Sequence, residues 1–157
     1  LYFTDDVLTD FDTNFKVLPP LRTQTDIDAL IEGVKDGTID MVTTDHNPID
    51  IEEKKIEFDH ANYGSIGLES AFGALQNIFT TKKTVDLLTK GKTRFGIEQT
   101  SINIETPANI TLFNPDTKYT FSKKDIVSKS KNAIFENENL KGKVYGIIAN
   151  NQVVLNF

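Results

Sequence analysis

Asp45 and His46 stand together at the end of a β-prone run, Thr38-Ile39-Asp40-Met41-Val42-Thr43-Thr44, and are followed by Asn47-Pro48. A carboxylate in that place could bind a metal ion or act as a general base toward metal-bound water, because it offers free lone pairs and a low pKa. It could equally cap a turn, as Asp before Asn-Pro often does. His46 and His60 are the only histidines, and they lack the H-x-H or H-E-x-x-H spacing of a histidine-built metal site. Neither has a triad-like neighbour, so both read as polar loop residues. No G-x-S-x-G elbow and no G-x-x-x-x-G-K-[ST] loop occurs, which removes the common serine-hydrolase and nucleotide-binding classes. Glu52-Glu53-Lys54-Lys55 reads as a solvated face. Arg22, after Pro19-Pro20-Leu21, either clamps an anion bidentately or braces its own loop.

The elements that must hold these residues follow from apolar spacing. Ile27, Leu30, Ile31 and Val34 recur as one helix face and predict a helix over 26–36, with Thr25 as N-cap and Gly37 just past its end. A helix, a Gly turn and a short strand over 38–44 form the αβ rhythm of a parallel sheet or barrel. Such folds keep their sites at the carboxyl ends of the strands. Residues 49–66 predict a long surface loop with one helical turn. Leu68, Phe72, Leu75 and Phe79 predict a second helix over 67–79, and a third spans 84–90. Beyond Phe95, alternating β-branched and aromatic residues predict strands at 101–105, 109–113, 143–149 and 151–156, the last two joined around Asn150-Asn151. The chain thus divides into an α/β region, 1–96, and a β-rich module, 97–157.

The 157 residues are 38% apolar and 25% charged, enough for a packed core, and no apolar run approaches the ~20 residues that cross a bilayer. A net charge of −6 argues against nucleic acid, whose grooves need clustered Lys and Arg. The absence of cysteine removes disulfides and thiolate chemistry and fits a reducing cytoplasm. The chain starts at Leu1 with no initiator Met, which predicts a beginning inside a longer protein.

Several blocks occur in a familiar order: Phe15-Lys16-Val17-Leu18-Pro19-Pro20-Leu21-Arg22, then Gly37-Thr38-Ile39-Asp40 leading to Thr44-Asp45-His46-Asn47-Pro48, then Glu52-Glu53-Lys54-Lys55, then Gly64-Ser65-Ile66-Gly67-Leu68-Glu69-Ser70. Ala108-Asn109-Ile110-Thr111-Leu112-Phe113-Asn114-Pro115 and Ser128-Lys129-Ser130-Lys131-Asn132-Ala133-Ile134-Phe135, then Leu140-Lys141-Gly142-Lys143-Val144, continue it. Together they resemble the carboxyl-terminal half of dihydroorotases of the amidohydrolase superfamily. Allantoinase and dihydropyrimidinase share that architecture, but the Pro-Pro-Leu-Arg and Gly-Leu-Glu blocks favour the dihydroorotase branch.

The resemblance implies an α/β fold, the last part of a (β/α)₈ metal-dependent hydrolase barrel followed by a small β-rich module, with 38–44 as the last barrel strand. It implies zinc-dependent interconversion of carbamoyl-aspartate and dihydroorotate in pyrimidine biosynthesis. Asp45 matches the metal-binding aspartate that takes a proton from the bridging water. His46, Gly64 and Gly67 fall among the substrate contacts, within a segment, 46–66, that closes over the ring. The other metal ligands of the family have no match in this chain.

Leu18 stands where the family has Asn, and Ile49 where it has His. Losing two hydrogen-bonding groups at substrate positions costs about 1–3 kcal/mol each. The resemblance therefore implies either a fragment of an active enzyme or a catalytically silent paralogue with a scaffold or assembly role. The expected partners are a small-molecule substrate and either further copies of the chain or another pyrimidine-pathway enzyme, and no nucleic acid or membrane.

Overall fold

The computed structural model describes residues 1–99 and 101–155. Its order is two 3₁₀ turns, helices α1 (Gln24–Asp36), α2 (Ile51–Lys54), α3 (Ala71–Ile78), α4 (Thr81–Thr89) and α5 (Gly91–Arg94), then strands β1 (Ile110–Thr120), β2 (Asn139–Ala149) and β3 (Gln152–Leu155). Among the described residues no helix is long and apolar enough to cross a membrane.

Helix α1 forms where the periodicity predicts it and buries Ile27 and Val34, but it begins two residues earlier. Thr23, not Thr25, is the N-cap. Its side chain accepts from the Asp26 amide while the Asp26 carboxylate accepts from the Thr23 amide, closing a capping box. Gly37 ends the helix at φ 90°, as expected of a C′ residue. Helix α3 starts later than predicted, at Ala71, and buries every residue from Gly73 to Gln76. Ala74 enters a cluster with Ile66, Phe121, Ile126, Ala133 and Leu140, while its neighbour Leu75 enters a second cluster with Val34, Phe79 and Leu87. Successive helix positions are rotated by about 100°, so one buried helix serves both clusters.

The sheet is antiparallel in the order β1-β2-β3. The predicted hairpin is present, and Asn150 and Asn151 both adopt positive φ, the conformation a two-residue hairpin turn requires. Asn114-Pro115 does not end β1. The strand passes through it with a register shift, because proline is tolerated at a bulge. Residues 101–105 form a bend and not a strand, and Ile102 and Ile104 lie exposed with no strand beside them. Asn156 of the predicted last strand lies outside the described residues.

The expected strand over 38–44 makes no β-ladder. A parallel strand is held by neighbours on both sides, whereas the backbone bonds of 38–44 among the described residues run to helices, from Ile39 N to Gly33 O and from Val42 N to Leu87 O, and the parallel bridge of His46 with Ser65 lies beyond it. The (β/α)₈ closure is thus not formed by these residues. What they form is a helical layer packed on a three-stranded sheet.

Candidate active site

Asp45 adopts φ 43°, a left-handed conformation that Asp tolerates better than most residues. Directly after it the chain runs beside the 64–67 segment through the His46–Ser65 bridge and the Asn47 N–H to Ser65 carbonyl bond of 3.0 Å. Two glycines allow this approach. A Cβ on Gly67 would lie 2.8 Å from the Thr44 carbonyl oxygen, and one on Gly64, at φ 144°, 2.6 Å from Asn47 Nδ2. The two segments enclose a pocket of about 200 Å³, lined by Asp45, Gly64, Gly67 and Leu18 with the aromatic and aliphatic surfaces of Phe135 and Ile134. Gly67→Ala is therefore expected to push the segments apart and lower stability by about 1–3 kcal/mol, read as a fall in the urea midpoint. An unchanged midpoint would show that the backbones have room to part.

Three of the four residues singled out for the site thus meet in one place, and His46 does not line it. Its ring is half-buried, and Nδ1 accepts from the amides of Gly67 and Leu68, each at 3.2 Å. An acceptor nitrogen carries no proton, so the 3.8 Å separation from Glu69 Oε2 is not an ion pair. His60 is an exposed loop residue. Arg22 braces its loop by pairing with Asp26 at 3.3 Å on the solvent side of α1.

The charged run 52–55 is not wholly solvated. Lys54 is 3% exposed and donates to the carbonyls of Thr13, Lys16 and Asn62 at 2.7, 3.3 and 2.9 Å. Burial holds its ammonium below the usual lysine value. Lys16, also buried, donates to the carbonyls of Phe58 and Asp59 and lies over the Tyr63 ring. The 46–66 loop is tied down from beneath by two ammonium groups.

Asn132 was given no role by its sequence, yet it joins this loop to the carboxyl-terminal part. Its Nδ2 donates to the carbonyls of Asn47 and Gly64 at 3.0 and 3.2 Å, and its Oδ1 accepts from the Ile49 amide at 3.2 Å. Glu69 does similar work, accepting from the Ser128 amide at 2.9 Å. The available signal was a polar residue opening the apolar run Ala133-Ile134-Phe135.

Chemically, the pocket presents one carboxylate on an otherwise apolar and main-chain wall. Among the described residues no group of three or more His, Cys, Asp or Glu side chains is placed to hold a metal ion. A zinc site needs three or four protein donors, so these residues do not fit a complete one.

A dihydroorotase of Caldanaerobacter subterraneus subsp. tengcongensis is 39% identical over 156 residues, covering 96% of this chain and 36% of the relative. By sequence the chain is homologous to a part of that dihydroorotase. The dihydroorotase of Endomicrobium trichonymphae is 37% identical over 98% of this chain and 39% of its own length. The chain thus spans little more than a third of the relatives it matches. No family model matches it. Among solved structures, a D-hydantoinase superposes with TM-score 0.82 at 19% identity over 99% of this chain and 37% of that one. A dihydroorotase from Saccharomyces cerevisiae superposes with TM-score 0.70 at 12% identity over 99% and 41%. At those identities the superpositions establish the fold, here that of about a third of each hydrolase.

Proposed function

We propose that this chain supplies the Asp45 pocket of a dihydroorotase-type cyclic amidohydrolase, whose whole protein interconverts carbamoyl-aspartate and dihydroorotate. The observation that carries the reading is the meeting of Asp45, Gly64 and Gly67 at one pocket in a chain 39% identical to a dihydroorotase. In the hydrolytic direction Asp45 takes a proton from the water that attacks the ring carbonyl and returns it to the ring nitrogen as the C–N bond breaks, leaving the carboxylate of carbamoyl-aspartate. The 64–67 backbone faces the ring, and the apolar wall of Ile134 and Phe135 limits competing water. Zinc belongs to this reading as the whole protein's cofactor, with Asp45 contributing one ligand and the rest lying outside this chain. So do a cytoplasmic setting, the completion of a (β/α)₈ barrel by other segments, and the division into residues 1–96 and 97–157.

The silent-paralogue reading rested on Leu18 and Ile49 together. Leu18 lines the pocket, but Ile49 lines a separate cleft with Lys54 and Lys131, so only one of the two apolar replacements faces the proposed substrate. The test is to purify the full-length parent with zinc and assay both directions. Turnover of both substrates is expected, and none in a metal-loaded protein would sink the reading.

Residues 1–157 by themselves are expected to show no turnover and to self-associate. Val127 and Ile104 are 84% and 93% exposed, and β3 pairs on one side only among the described residues. Size-exclusion chromatography checks this. A monodisperse monomer would make the chain an autonomous domain.

A further inference from the structure

We infer that His46 is a positioning residue, acting through Nδ1 alone to lock the left-handed turn at Asp45 against the Gly67–Leu68 backbone. The inference rests on the proposed function and adds to it a residue that touches neither substrate nor metal.

Asp45 is held in a sparsely populated backbone region, which persists only when the surroundings over-determine it. The residue that follows it is fixed by main chain and side chain at once: a parallel bridge to Ser65, and two hydrogen bonds that its ring Nδ1 accepts from the amides of Gly67 and Leu68. Those amides stand just before α3, where N–H groups have no partner within the helix. One ring nitrogen satisfies both. Gly67 and Asp45 both line the pocket and His46 does not, so His46 sets the spacing between the two segments without entering the space they enclose.

Glu69 sharpens the assignment. Its Oε1 is held by the Ser128 amide, while Oε2 is buried, has no hydrogen-bond partner among the described residues and lies 3.8 Å from His46 Nδ1. A ring presenting an Nδ1–H to Glu69 would have to abandon both amides. The fold keeps the amides and leaves the carboxylate oxygen unpaired, so the Nδ1 acceptor is the feature it retains.

Three variants of the full-length parent separate the two ring nitrogens. Asn places its Oδ1 near the Nδ1 position and lacks anything at Nε2, whereas Gln reaches the Nε2 position and leaves Nδ1 empty. For His46→Asn, hydrogen exchange across residues 64–70 is expected to stay slow and kcat to stay within about 5-fold of the parent. For His46→Gln and His46→Ala, exchange there speeds up and kcat falls by roughly 10–100-fold at a KM changed by less than about 3-fold, because the reacting groups are misplaced while substrate contacts survive. An active Gln variant beside an inactive Asn variant, a rise in KM alone, or unchanged exchange in His46→Ala would each overturn the inference. If the Ala variant fails to fold, the Asn–Gln comparison decides. A parent without turnover defeats the catalytic reading, whereas the exchange pattern judges His46 independently.

Discussion

Asp45→Asn in the full-length parent is expected to lower kcat in both directions by about 10²–10⁴-fold, the usual contribution of a positioned acid–base group. Its stability should be unchanged. The two side chains have the same shape, Asp45 is exposed, and both tolerate the left-handed backbone observed at this position. What the amide cannot do is accept a proton from water. Alanine is the poorer test, because it loses the tolerance of positive φ along with the carboxylate and mixes strain with chemistry. Steady-state kinetics in each direction beside urea unfolding separates the two effects. An Asn variant with the parent's kcat would reduce Asp45 to a turn residue, the bland reading its Asp-x-Asn-Pro context also allows.

The second large effect is expected at Asn132. Replacing it by Leu keeps an apolar volume but leaves the Ile49 N–H and the carbonyls of Asn47 and Gly64 without the partners seen in the fold. An orphaned buried polar group costs about 1–3 kcal/mol, and partial rescue by water makes a total loss of roughly 3–5 kcal/mol reasonable for three. Asn132→Asp should fall between, since it keeps the acceptor and turns a second oxygen toward two carbonyls. Urea unfolding of the purified parent variants measures both. A Leu variant within about 1 kcal/mol of the parent would mean that water replaces all three bonds at little cost.

What the sequence discloses and what it withholds follow from the range of each interaction. Helix α1 was legible because Ile27 and Val34 repeat within a few residues and Gly37 stops it. Its cap was not. Thr23 with Asp26 and Thr25 with Asp28 are both Thr-x-x-Asp, and nothing local chooses between them. The hairpin at Asn150-Asn151 was legible because its turn chemistry is local, whereas 101–105 and 38–44 show strand composition without strand partners, and composition cannot report the neighbour. Helix α3 begins four residues after its predicted start, because Leu68 continues the apolar spacing in sequence yet is 63% exposed in the fold. Asp45, Gly64 and Gly67 were singled out by the family pattern, and the fold brings the three to one pocket. The burial of Lys54 was not, since its acceptors Thr13 and Lys16 lie 41 and 38 residues back.

The reach of Asn132 also bears on when the pocket can exist during synthesis. Its bonds run back 85 residues to Asn47 and 68 to Gly64, so the wall around Asp45 cannot be fastened until a segment made much later has emerged. At 5–20 residues per second, the interval between Gly64 and Asn132 is roughly 3–14 s. During it α1 and α3 can form from local sequence, while closure of the pocket waits on a long-range contact with a high entropic cost. For those seconds a nascent chain carries Asp45 with no shaped site around it, and the enclosure that would let this carboxylate act on a substrate is fastened only once Asn132 has emerged.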